Sequence, residues 1–243
     1  MLSDDFEGPA LATFWLPGSY GSGRYAPGAV TISSERAYSG TSSAEITVRD
    51  GDIDQDGGDG AHTERAELDS GAHALYGEDA WCRFAFLLPS GFPIVDNRLV
   101  IAQWKQKGVA SPLVAQRFRA GRHYASIWSS GAEAIKHELP PLEVERWHEM
   151  VYHIKFSDES TGLVDIWMDG VLVMSWRGQT ASPDARNAFY HKIGLYRDHW
   201  ADPMTIFFDD YVLSATAIQI DVLPSHGDTS TATPVEVPAA HLR

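Results

Sequence analysis

Val164-Asp165-Ile166-Trp167-Met168-Asp169-Gly170-Val171-Leu172-Val173-Met174-Ser175-Trp176 is the stretch that decides the fold. Two β-prone runs meet at Asp169-Gly170, a dipeptide that readily takes the positive φ angles of a two-residue turn. An antiparallel hairpin is the prediction. Outward from it the same period of two recurs. Residues 44–49 alternate, Cys82, Phe84, Phe86 and Leu88 share one side of a second run, and Met150, Tyr152, Ile154 and Phe156 share one side of a third. Further strands are expected at 99–106, 113–119, 123–128, 190–196 and 205–213. No long segment repeats its apolar residues every 3.6 positions, so helices should be short and few. Many short strands separated by Gly and Pro turns imply an all-β domain, a two-sheet antiparallel β-sandwich of jelly-roll type.

The chain has 243 residues, of which 44% are hydrophobic and 11% aromatic, enough to bury the core of one large β domain. Residues 1–222 show neither repeat nor linker and read as that domain, while 223–243 lack aromatics and alternation and read as a loosely held tail. The single Cys82 cannot close an intrachain disulfide, so burial must hold the fold. No run approaches the roughly 18 apolar residues of a membrane helix, and Met1-Leu2-Ser3-Asp4-Asp5 has neither the basic start nor the apolar stretch of a secretory signal. The expectation is a soluble monomer.

The net charge of −14 is unevenly spread. Between Asn97 and Ala132 there is no acidic residue, while Arg98, Lys105, Lys107, Arg117, Arg119 and Arg122 are basic. Such segregation either focuses an anionic ligand into one place or is simply a solvated basic surface. Nucleic acid is not the expected partner, because an acidic chain without a recognisable binding motif lacks the broad positive footprint.

Three separated strands carry polar groups where packing residues would be ordinary. In an extended backbone, Arg65 and Glu67 share a face opposite Ala66 and Leu68. Gln103 and Lys105 share a face of another strand, and Tyr190, Lys192, Gly194 and Tyr196 a face of a third. Side by side, these strands would form one concave, polar wall.

Arg65-Ala66-Glu67-Leu68, Gln103-Trp104-Lys105 and Tyr190-x-Lys192-x-Gly194-x-Tyr196 resemble, in order, the three motifs of the jelly-roll polysaccharide lyases, which include alginate lyases, glucuronan lyases and heparin lyase I. The resemblance spans residues 62–196 and implies a concanavalin A-like sandwich with a concave substrate cleft. Lys105 stands where alginate lyases have His, and His62 precedes the Arg strand, so the pattern is closer to the glucuronan lyase and heparin lyase I branch.

The implied activity is endo-acting β-elimination on a uronic-acid polymer, with polyglucuronate favoured, and it requires no organic cofactor. The C5 proton of a uronate is too weakly acidic to remove unless the neighbouring carboxylate is neutralised by donors fixed in advance. Gln103 is the first neutraliser, with His62 or Arg65 assisting, and one such donor contributes on the order of 3 kcal/mol to the transition state. Tyr196 is the base, and the acid that returns a proton to the departing O4. Free tyrosine titrates near pH ~10, so it needs cationic neighbours, for which Lys192, Arg197 and Arg65 are candidates. Lys105 would hold a flanking carboxylate, Tyr190 and Trp200 would line the cleft, and Glu67 would brace Arg65 or Lys105 in an ion pair. Trp128 is a further stacking candidate, whereas Trp104 has opposite parity to Gln103 and suits the core. The alternative for Gln103 and Tyr196 is an ordinary place in a sheet. The parity of His62 differs from that of Arg65, which suits a loop.

Asp52-Ile53-Asp54-Gln55-Asp56-Gly57 resembles the start of a calcium loop, but the twelfth position is Thr63, Glu64 comes one place late, and no flanking helices are evident. The alternative for Asp50–Asp59 is a solvated, mobile loop at the cleft rim, able to act as a lid. Family resemblance suggests a second calcium position near Glu7 and Asp210. Two other functions fit the same architecture: a non-catalytic carbohydrate-binding module or lectin, and a glycoside hydrolase using Glu64 and Glu67, whose odd separation points them to opposite faces. An acidic polysaccharide as substrate implies a secreted or periplasmic protein, although the given N-terminus shows no export signal.

Overall fold

The computed structural model describes residues 1–17, 25–54, 63–71, 73–128 and 134–220, with backbone alone at 53–54. The expected tail from 223 onward and His62 lie outside the described residues. Among the described residues there is no helix. One sheet contains β1 (Leu2–Asp4), β3 (Val30–Ser33), β4 (Ser43–Val48), β7 (Asp79–Leu87), β12 (Trp147–Lys155), β13 (Leu163–Met168), β14 (Val171–Arg177) and β16 (Met204–Ser214). The other contains β2 (Leu16–Pro17), β5 (Ile53–Asp54), β6 (Thr63–Asp69), β8 (Leu99–Gln106), β9 (Val114–Arg119), β10 (Arg122–Ile127), β11 (Ile135–Glu138) and β15 (Phe189–Asp198). Their orders are β14-β13-β12-β7-β16-β4-β3, with β1 on β16, and β11-β10-β9-β8-β15-β6-β2, with β5 on β6. Every pairing is antiparallel, giving the open two-sheet sandwich that the alternation predicts.

The Asp-Gly hairpin forms as β13–β14, with Asp169 and Gly170 at φ 50° and 77°. Asp169 also pins the turn to its neighbour strand: its carboxylate accepts the Glu149 N–H at 2.9 Å and the His148 Nδ1–H at 3.0 Å. Against the cost of burial, these donors hold the Asp169 carboxyl below the ordinary value.

Between the sheets the alternating aromatics interlock. Phe84 packs against Phe86, Tyr152 and Phe208, and Phe156 stacks on Phe189 with ring centroids 4.0 Å apart. Trp104 is buried here, as its parity predicts. A polar chain crosses this apolar layer. Tyr152 Oη donates to Gln116 Oε1 at 2.9 Å, the Gln116 amide nitrogen faces His123 Nε2 at 3.0 Å, and His123 Nδ1 faces the Pro140 carbonyl at 2.8 Å. An amide donor on one side and a carbonyl acceptor on the other require the neutral imidazole protonated at Nδ1. Burial pushes His123 down to about 4, with the Pro140 carbonyl opposing.

The sign of the stability effect follows. The unfolded chain takes up a proton on this histidine near pH ~6.5 while the fold refuses it, so the contribution is complete above that pH and is lost as pH falls toward 4. Urea titrations at pH 7 and pH 5 should show lower stability at pH 5, with up to about 2 kcal/mol of the difference removed in His123→Leu; an identical pH slope in that variant would contradict the assignment.

Candidate active site

The three polar strands lie side by side in the order β8-β15-β6. Lys192 pairs with Gln103 on one side and Asp69 on the other, Tyr196 lies between Val100 and Arg65, and Tyr190 faces Lys105. Directly paired residues project to the same face, so the register places Arg65, Glu67, Gln103, Lys105, Tyr190, Lys192 and Tyr196 on one wall.

Gly194 explains how the wall closes up. Its φ is +139°, and a Cβ there would lie 2.3 Å from the Ala66 carbonyl oxygen and 2.7 Å from the Glu67 Cα. Only glycine admits both the conformation and the approach of β6. The β15–β8 register also shifts between Ile193 and Tyr196, a bulge that re-aims the tyrosine.

Glu67 is the hub of the wall. It is 1% exposed, and its Oε1 accepts a hydrogen bond from the Gln103 Nε2. A carboxylate accepts only, so the nitrogen of the Gln103 amide must face it. Glu67 Oε2 lies 3.3 Å from Arg65 Nε and 3.9 Å from Lys192 Nζ. The Arg65 contact is an ion pair whose N–H is not aligned for a hydrogen bond. Lys192 Nζ is also 3.6 Å from Asp69 Oδ2, and burial pushes the Asp69 carboxyl up while the Lys192 ammonium opposes it. The predicted brace between Glu67 and Arg65 is therefore present, and it extends to Gln103 and Lys192.

Positive charge surrounds the Tyr196 ring. The Arg65 guanidinium carbon lies 4.1 Å from the ring centroid and that of Arg98 4.9 Å. Arg98 is held in turn by Asp198, with Nε 2.9 Å from Oδ1. Lys105 Nζ donates to the Ala110 carbonyl at 2.5 Å. Burial first, then the charges of Lys192 and Arg65, push the Lys105 ammonium down to about 8, with Glu67 and Asp69 opposing. Lys192 Nζ lies 5.8 Å from the Tyr190 ring.

A family model described as polysaccharide lyase matches residues 12–212. The chain belongs to the polysaccharide lyase family. Among solved structures this lyase is similar to the endo-β-1,4-glucuronan lyase from the fungus Trichoderma reesei, with 20% identity and a TM-score of 0.65 over 84% of this chain and 95% of that one. It is also similar to alginate lyase A1-II′ of polysaccharide lyase family 7, with 12% identity and a TM-score of 0.63 over 83% and 94% of the two chains. A cellulose-induced protein, Cip1, follows with 16% identity and a TM-score of 0.58 over 90% and 99%. No curated relative matches the sequence. At these identities the structural likenesses establish the shared fold.

One expectation for the cleft of the lyase is corrected. Arg197 is fully buried and does not stand on the wall. Its Nε is 2.7 Å from Glu64 Oε2, and its terminal nitrogens donate to the Asp202 and Trp200 carbonyls at 2.7 and 2.8 Å. The reason is alternation: residue 197 points away from the face that Tyr196 occupies. Trp200 is half-buried: it packs against the core and its indole nitrogen is enclosed. The hydrolase alternative also loses its pair, because Glu64 is fully buried against Arg197 and Glu67 is spent bracing the wall.

Asp50, Glu64 and His199 bring candidate metal-ligand atoms within 4.8 Å of one another. They suit calcium poorly. Nδ1 of His199 is a nitrogen, and it lies 3.1 Å from Glu64 Oε1 and 3.5 Å from Asp50 Oδ1. Calcium prefers oxygen ligands throughout. The Gly51 N–H at 3.0 Å and the Arg197 guanidinium already engage Glu64. Asp52 Oδ2 accepts the Arg49 N–H at 2.8 Å, and the remainder of the aspartate loop, 55–59, lies outside the described residues. At the other expected position Glu7 accepts N–H donors from Thr41 and Ser42, each at 2.8 Å, and Asp210 accepts the Ser39 hydroxyl at 2.8 Å. No step of the chemistry below runs through a metal.

Sequence reading missed Arg98 as a wall residue. Simple alternation from Gln103 sends it to the opposite face, but the β8–β9 register shifts between Val100 and Ala102 and reverses the parity. Asp69 lies two residues beyond Glu67 in the same alternation and was legible.

Gly194→Ala should cost at least about 2 kcal/mol in urea unfolding, because the backbone of β6 cannot retreat without breaking the wall. Wild-type stability in that variant would show that the close approach is not required.

Proposed function

We propose that the lyase cleaves a β-1,4-linked glucuronate polymer internally by β-elimination, with Tyr196 transferring the proton and Gln103, Arg65 and His62 neutralising the uronate carboxylate. The observation that carries this reading is the Arg65 guanidinium against the Tyr196 ring, on the same wall as the Gln103 amide. The Gln103 amide has two N–H groups, and Glu67 takes one. The second is the donor for substrate. Arg65, held by Glu67, supplies positive charge on the same side, and His62, one residue before β6, is assigned as the further donor.

In the reaction the Tyr196 phenolate takes the C5 proton. The C5–H electron pair becomes the C4=C5 double bond, the C4–O4 bond breaks, and O4 leaves with the proton that the phenol returns. One side chain thus serves as base and then acid. Charge develops on the uronate carboxylate between these steps, where the amide and guanidinium donors are already oriented. Lys192 and Lys105 bind carboxylates of the polymer. No organic cofactor is needed, since every bond change is carried by a proton and an electron pair already in the substrate. A polymer of this kind is degraded outside the cytoplasm, so we assign the lyase to the periplasm or the cell exterior; among the described residues no helix is long and apolar enough to cross a membrane.

Mixing the protein with glucuronan, alginate, heparin and hyaluronan and following the ultraviolet absorbance of the unsaturated product tests the reaction. Glucuronan should respond most strongly, and silence across the set would end the proposal. Tyr196→Phe should bind polymer and lose about a hundredfold or more in kcat; full activity in that variant would remove the assigned base.

The lysine on β8 makes a pH prediction. Its ammonium has to keep its proton to attract a carboxylate, so kcat/KM, which reports the free enzyme, should fall as pH rises through about 8. Lys105→Arg should move that alkaline limb upward, because guanidinium stays protonated. An unshifted limb would assign the fall to another group.

A further inference from the structure

The wall does not end at Tyr196. Continuing across the sheet, Val100 pairs with Arg117, Arg117 with Tyr124, and Tyr124 with Glu138. Residues paired in this way share a face, so the row from Arg65 through Tyr196 runs on to the edge strand β11. At that edge a cavity of about 320 Å³ is lined by Asp96, Arg119, Ala120, Arg122, Tyr124 and Lys136.

Three of these residues are cationic, and their placement is costly for folding alone. Arg119 and Arg122 face each other directly across the two-residue turn Ala120-Gly121, whose φ angles are 51° and 78°. Like charges directly opposite destabilise a hairpin. Their acidic partners lie out in solvent: Arg119 Nε is 2.5 Å from Asp96, whose side chain is 74% exposed, and Arg122 pairs with Glu138, which is 55% exposed. Such pairs contribute little and exchange readily for another carboxylate.

The spacing also suits a polymer. From β15 to β10 the order in the sheet crosses three strand intervals, roughly 14 Å at the usual separation, with Arg117 between. That is several sugar rings from the bond cleaved at Tyr196.

We infer that the β9–β11 edge forms an outer subsite, in which Arg119, Arg122 and Lys136 bind carboxylates of uronate residues remote from the scissile bond and the Tyr124 ring supports a sugar face. The inference rests on the lyase reading for the identity of the polymer. It gives the chain preference for long substrates, since a short oligosaccharide centred on Tyr196 does not reach the edge.

The test uses β-1,4-linked oligoglucuronates of graded length with the full chain, measuring affinity by calorimetry and turnover by ultraviolet absorbance. In the wild type, affinity should rise with length once the oligomer spans the sheet. In Arg119→Ala/Arg122→Ala/Lys136→Ala the ratio of long-chain to short-chain affinity should fall about tenfold, the sum of three exposed ionic contacts. Arg119→Lys/Arg122→Lys should recover most of that ratio. These side chains are exposed, and thermal unfolding of each variant verifies that the fold is kept. A ratio equal to that of the wild type overturns the subsite even where wild-type turnover stands. A fallen ratio with no unsaturated product from the wild type keeps the subsite and overturns the lyase step at Tyr196 instead.

Discussion

A carboxylate buried in a cationic wall is the constraint on which the site depends. Glu67 has almost no contact with solvent, and its desolvation is offset by what converges on it: the Gln103 amide, the Arg65 guanidinium and the Lys192 ammonium. Those three groups come from three strands. Without the acid between them, Arg65 and Lys192 would repel one another, and the Gln103 amide would have no reason to turn its nitrogen inward. The same carboxylate that would oppose an anionic substrate if it were exposed becomes, once buried and shared, the device that orients the donors.

Two bulges shape the wall around Tyr196. The missing side chain at Gly194 admits β6 at a separation from β15 that any larger residue would forbid, the β15–β8 register shifts between Ile193 and Tyr196, and the β8–β9 shift between Val100 and Ala102 swings Arg98 onto the wall. Both lie within a few residues of Tyr196. Local irregularity in otherwise regular strands thus concentrates where the ring and the guanidiniums meet, as bulges do where a side chain must be aimed.

These bulges also mark the limit of what residue order reveals. Strands and the Asp169-Gly170 hairpin were legible because burial of one face imposes period two, and the Arg65, Gln103 and Tyr196 strands because each keeps its polar face in phase. Arg98 was hidden, since one extra residue inverts parity and nothing in the local composition announces it. Arg197 was a different error, because plain alternation already set it against Tyr196, and its charge drew attention away from that geometry. His199 follows β15 in a loop, where no period relates it to Glu64 at a separation of 135 residues. His62 belongs to residues beyond those described.

The acid-free run from Asn97 to Ala132 acquires its meaning from the topology. Strands β8, β9 and β10 are consecutive in the chain and adjacent in the sheet, so omission of acids from one contiguous segment clears acids from one contiguous surface. Glu67 and Asp69 enter the wall from β6 and are neutralised by the groups they hold, whereas Asp96 and Glu138 stand at its rim. A molecule of net charge −14 therefore carries a positive strip on this sheet, which is what the proposed anionic polymer requires of it. Because the strip is built on hydrogen-bonded strands and not on loops, its charges are fixed in place before substrate arrives, which is the condition under which oriented donors lower a barrier instead of only tightening binding.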